Sequence, residues 1–167
     1  MTEAQLSNAM DAYGSTVYRL ALTRMQNIAD AEDVYQEVFL RLWKQAAEDW
    51  DGDRAKAWLI RTTLNRCADL HRFRLRRPVL SFAEIPDLAQ PEDESRELWE
   101  AVSRLPEKAR TAVHLYYAEG YSTEEISHLM HIPAATVRTR LHRARKQLKE
   151  LLGGIDAVSY THLTLPT

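Results

Sequence analysis

One cysteine in 167 residues, Cys67, excludes an internal disulfide and fits a reducing compartment, so stability must come from packing. Long apolar runs are missing, and no secretion signal or lipidation motif is visible, which leads us to expect a cytoplasmic protein without membrane insertion. Neither charge dominates: 22 Lys and Arg against 24 Asp and Glu leave a formal net charge of -2, too little to announce a nucleic-acid binder from composition. Alternating stretches long enough for a sheet are absent too, which leaves an all-α fold.

The charge that is present is sorted along the chain. Residues 61–77 hold six Arg against one Asp, whereas 30–53 and 84–100 are strongly acidic. Between Val137 and Lys149 there are six Lys or Arg and no acid. Such blocks suggest two DNA-facing surfaces, an acidic surface for another partner, and an acidic connector that DNA would repel.

The last basic block sits in the run YSTEEISHLMHIPAATVRTRLHRARKQL, residues 121–148. Ser122 and Glu125 have capping-box spacing, and Ile126, Leu129 and Met130 form the buried stripe of the helix they start. Pro133 cannot donate to a continuing helix but suits a new helix start, so a second helix is expected from Pro133 or Ala134. There Val137, Leu141, Ala144 and Leu148 recur on one face. Arg138, Thr139, His142 and Lys146 fall opposite, flanked by Arg143 and Lys149, which is the layout of a helix-turn-helix that reads DNA. Arg and Thr near the start of that helix can reach base edges, and the later cations suit phosphates.

Two small helical domains are expected: residues 1–77, a flexible linker at 78–92 marked by prolines and no helical period, and 93–152. The first block reads as helices ending near Asn27, spanning 29–47, and spanning 54–74 after an Asp51-Gly52-Asp53 turn; the second adds helices at 94–104 and 106–119. The tail at 153–167 abandons periodicity and stands outside the functional reading, as a non-native extension or a disordered terminus.

Two faces of the first block call for a use. Val34, Val38 and Leu42 make a core stripe, yet Leu40 and Trp43 project elsewhere, among Asp33, Gln36, Glu37 and Lys44. Either they pack inside the small domain or they are docking anchors ringed by acids. On the next helix, turning Leu59, Ile60, Thr63, Leu64, Cys67 and Leu70 inward turns Trp58, Arg61, Thr62, Asn65, Asp69, Arg72 and Arg76 outward. An aromatic and an amide among arginines suit unstacked bases, with core cover the alternative for Trp58. Asp69 should pair with Arg66 or Arg72.

The runs DAEDVYQEVFLRLWK, AWLIRTTLNRCADLHR and LPEKARTAVHLYYAEGYSTEEISHLMHIPAATVRTRLHRARKQL, in that order, closely resemble the extracytoplasmic-function group of bacterial RNA polymerase sigma factors. The resemblance runs from about Tyr13 to Leu152 and implies sigma region 2 in the first block and region 4 in the second. It implies that Asp33, Gln36, Glu37, Leu40 and Trp43 grip the β′ clamp helices of core polymerase. It further implies that the 50–55 loop and the Asn65 helix capture and melt the minus-10 element, and that Arg138, Thr139, His142 and Arg143 read the minus-35 element. Promoter DNA and core polymerase are thus the expected partners, an anti-sigma factor is a plausible third, and no catalytic centre, metal or cofactor is expected. His131 stands where the family often has glycine and Pro133 where it often has serine; His tolerates a left-handed turn, so the motif should hold.

A two-module transcription regulator would share the helix-turn-helix but not explain the 36–43 face. A metal hydrolase using His114, His128, His131 and His142 lacks any accompanying glutamate motif.

Overall fold

The chain is described by a computed structural model covering residues 1–45, 52–74 and 93–153, with the backbone alone at 74 and 93–96. The expected linker, the tail beyond Gly153, Arg76 and residues 50 and 51 of the 50–55 loop lie outside the described residues.

Thr2 and Gln5 form a reciprocal capping box that starts α1, Glu3–Met25. The helix ends where Gln26 turns left-handed (φ 51°) and its amide donates to the Leu22 carbonyl at 2.8 Å. Asn27 immediately caps α2, Ile28–Lys44, its side-chain oxygen accepting from the Asp30 amide at 3.0 Å. A two-residue link therefore sets α1 and α2 side by side. The third helix, α3, runs Gly52–Arg74, so Gly52 and Asp53, expected as a turn, are its first residues. Tyr13 of α1 donates to the Gly52 carbonyl at 2.9 Å, fixing where α3 begins.

These three helices form one compact unit within Met1–Pro86. Its core is Val17, Ala21 and Leu22 from α1, Val34, Val38 and Leu42 from α2, and Leu59 and Cys67 from α3. Cys67 is a buried free thiol.

A second compact unit lies within Asp87–Thr167. It contains α4 (Asp93–Ser103), α5 (Glu107–Val113), a π-helical turn at His114–Ala118, α6 (Thr123–Met130) and α7 (Ala134–Leu151). The helix expected to run unbroken from 106 to 119 instead widens after Val113, where the Glu119 amide bonds the His114 carbonyl at 3.1 Å. Gly120, at φ 73°, then lets the Tyr121 amide return to the Leu115 carbonyl, and α6 starts at once. Leu105, Leu115, Ile126, Val137, Leu141 and Leu148 fill the interior.

The start of α6 follows from two side chains. Ser122 Oγ accepts from the Glu125 amide at 3.1 Å and Glu125 Oε1 accepts from the Ser122 amide at 3.0 Å. Ser122→Ala should therefore cost about 1 kcal/mol, read as faster hydrogen exchange at the first-turn amides of α6. Exchange unchanged there would show that tertiary packing alone holds the turn.

No strand occurs among the described residues. None of their helices is long and apolar enough to cross a membrane.

Candidate nucleic-acid and partner interfaces

The turn between α6 and α7 is built by His131, which takes the left-handed conformation (φ 55°, ψ 45°), as its modest steric demand allows. Pro133 is the N-cap of α7, just outside the first turn, and its carbonyl accepts from the Thr136 and Val137 amides. Its side chain makes no cap hydrogen bond. The helix start owes its shape to the fixed proline φ instead.

Along α7 the division of faces is complete. Val137, Leu141, Ala144 and Leu148 are buried, while Arg138, Thr139, His142, Arg143 and Lys146 are exposed, as is Lys149. Arg140 and Arg145 are half-buried at the edges of the stripe. Arg145 also lies near enough to Tyr117 to favour its ionised form, although burial dominates and pushes that phenol up to about 12. The exposed cations make this face of α7 strongly positive. Thr139 spends its proton on the Ala135 carbonyl at 3.0 Å, so toward a ligand its hydroxyl is an acceptor.

Glu124 on α6 adds a feature absent from our reading of the sequence. Its carboxylate stands 4.0 Å from Arg138 and accepts from Thr123 Oγ1 at 3.1 Å. Its own backbone amide, then Thr123, with Arg138 adding to them, holds it below the usual carboxylate range. In the free chain the exposed Arg138 guanidinium is thus already biased toward the α6 side.

On α3, Arg61, Asn65 and Arg72 are exposed at i, i+4 and i+11, which is one stripe of an α-helix. Arg72 pairs with Asp69, the second of the two partners considered. Thr62 is a correction. It is turned about 100° from that stripe and only 8% exposed, its hydroxyl donating to the Trp58 carbonyl at 2.7 Å. That internal bond removes the penalty of burying a hydroxyl, so its polarity misleads. Trp58 is half-buried and packs on the core rather than standing outward. Its remaining surface lines a cavity of about 610 Å³ with Arg41, Lys44, Gln45 and Thr62. Arg41, Lys44 and Gln45 are therefore polar neighbours of the α3 surface that spacing within α3 could not reveal.

On α2 the choice between core and docking resolves in favour of exposure. Leu40 is 46% and Trp43 40% exposed, with Asp33 and Gln36 exposed and Glu37 half-buried beside them. Glu37 pairs with Arg41 at 3.1 Å, one turn along the same face.

The four histidines considered as metal ligands do not converge. His114 is buried, 3.4 Å from Glu119 across the π turn, with its ring centroid 6.4 Å from that of Trp99. The others are exposed, and among the described residues no group of three or more His, Cys, Asp or Glu is placed to hold a metal.

Comparison with known proteins places both units. Residues 9–77 match Sigma-70 region 2, and residues 95–148 match Sigma-70, region 4. The ECF RNA polymerase sigma factor SigE of Mycolicibacterium smegmatis is 34% identical over 151 residues, covering 84% of this chain and 58% of that protein. SigM of Bacillus subtilis, another ECF sigma factor, is 32% identical over 147 residues, covering 83% of this chain and 90% of that one. Among solved structures, the sigma factor RpoE in complex with the anti-sigma factor NepR from Bartonella quintana has a similar fold. Its TM-score is 0.76 at 23% identity, covering 91% of this chain and 99% of that chain.

Proposed function

This chain belongs to the ECF RNA polymerase sigma factors, and we propose that it binds core polymerase and directs promoter-specific initiation, with its two units reading the two promoter elements. The observation that carries the reading is α7, which buries four apolar residues and presents Arg138, Thr139, His142, Arg143 and Lys146 on the opposite face. A recognition helix so arranged enters the major groove, its early residues at base edges and its later cations at phosphates. We assign it the minus-35 element.

The Arg61, Asn65 and Arg72 stripe takes the minus-10 element, with the exposed part of Trp58 beside it and Arg76, outside the described residues, continuing the basic run. Asn65 offers an amide to an unpaired base edge and the arginines offer charge to the strand. Trapping displaced bases there would oppose an unstacking cost of about a few kcal/mol. The acidic-apolar face of α2, from Asp33 to Trp43, docks on the β′ clamp helices, and an anti-sigma factor that covered those anchors would restrain the protein.

In this arrangement the chain contributes specificity and strand capture, and polymerase contributes the catalytic centre. The place of action is the cytoplasm. Each DNA surface is small, and the overall charge is slightly negative, so neither unit needs high affinity alone. Core polymerase raises the effective concentration of each DNA-reading surface at its element.

Run-off transcription over a random promoter library, with and without the chain added to core polymerase, tests the proposal. Promoter-selective transcripts should appear only with both present, and the free chain should give no sequence-specific gel-shift at physiological salt. Tight specific binding by the free chain, or transcripts independent of it, would overturn the reading.

A further inference from the structure

Between α1 and α2 lies a groove whose lining, Gln36 apart, none of these roles uses. It encloses about 430 Å³ and is lined by Gly14, Ser15, Tyr18, Glu32, Tyr35 and Gln36. Its floor is aromatic: the Tyr18 and Tyr35 rings meet edge to face with centroids 6.3 Å apart, and Tyr35 leans on Phe39 at 4.8 Å. Gly14 keeps the floor open, because a Cβ there would stand 3.1 Å from the Tyr35 hydroxyl and crowd the ring. No lysine or arginine lines the groove, and its acidic lining residue, Glu32, is exposed. Carboxylates also act on the floor from both helices. Burial, then Glu32, raises the Tyr18 phenol, and burial, then Asp11, raises that of Tyr35.

We propose that this groove seats an arginine or lysine side chain of core polymerase, its alkyl or guanidinium plane on the tyrosine rings and its charge against Glu32. The proposal rests on the assignment of the α2 face to polymerase docking. Neutral aromatic rings beside an exposed carboxylate attract a cation by ring quadrupole and Coulomb terms together, and an arginine plane suits a ring best. The groove continues the docking face. Glu32, Gln36 and Trp43 follow i, i+4 and i+11 on α2, so a partner helix laid along that stripe from Trp43 reaches Glu32 about 16 Å further on. Gln36 belongs to both.

The test is titration of core polymerase with the full chain carrying Glu32→Lys or Ser15→Trp, beside Leu40→Ala with Trp43→Ala. Glu32 and Ser15 are exposed, so circular dichroism should remain that of the parent. The charge reversal and the groove-filling tryptophan should each weaken core binding about tenfold. A polymerase arginine or lysine whose reversal to glutamate is rescued by Glu32→Lys would identify the occupant and establish the pairing. If both groove variants bind like the parent while the Leu40 and Trp43 pair does not, the groove is empty in the complex and the inference fails alone. If all three variants bind like the parent, the docking reading fails and the inference falls with it. Loss of binding to an anti-sigma factor with core affinity unchanged would overturn the choice of occupant.

Discussion

Replacing Leu40 and Trp43 together with alanine should lower affinity for core polymerase by about a hundredfold or more while leaving the helical content that of the parent. Both halves of that expectation come from exposure. In the free chain the two side chains are 46% and 40% exposed, so truncation removes little packing that the fold depends on, and such surface changes cost about 0.5 kcal/mol or less. In a complex the same side chains would be desolvated at the centre of a patch rimmed by Asp33, Gln36 and Glu37. Truncating a central aromatic anchor costs about 2 kcal/mol or more, and the two residues stand three apart on one helix, close enough that their effects need not add. A fluorescently labelled chain titrated with core polymerase measures the affinity, and circular dichroism measures the fold. Lost helicity would return both residues to the core. Retained helicity with parental affinity would move the docking face elsewhere.

The sequence could pose this question about α2 but not answer it, since a helix with two apolar sides is equally consistent with a buried helix and a docking helix. Packing decides, and packing depends on α1 and α3. Where local chemistry suffices, the reading was nearly complete. The Ser122–Glu125 box, the left-handed His131 and the four-residue buried stripe of α7 were all legible from side chains that act within one or two turns. The features that escaped depend on distant neighbours or on hidden compensation. The π turn at 114–118 inserts a residue without any proline or glycine inside it, and it encloses the buried His114 and Glu119 pair. Thr62 looks like a surface residue until its hydroxyl is seen to be satisfied four residues back. Arg41, Lys44 and Gln45 meet Trp58 only because α2 and α3 pack together.

Arg138→Ala should relax sequence preference at one or two minus-35 positions and cost about 1 to 3 kcal/mol there, because a guanidinium near the helix start can pair bidentately with guanine. Its contact with Glu124 sharpens the expectation. A 4.0 Å pair between exposed groups is weak, so DNA can recruit the guanidinium at little cost. Lys146 and Lys149 are exposed two and three turns further along, where phosphates are the nearer ligands. Their loss should weaken all promoters alike and reduce the slope of log affinity against log salt by about one per contact. Asn65→Ala should leave both duplex effects untouched, since its helix belongs to the other unit, and should impair opening instead. Binding of the holoenzyme to a panel of minus-35 variants at several salt concentrations separates the first two outcomes, and permanganate footprinting on a matched promoter reads the third. Uniform weakening by Arg138→Ala would make it a phosphate contact. Normal thymine reactivity in the Asn65 variant at full occupancy would remove the melted strand from α3.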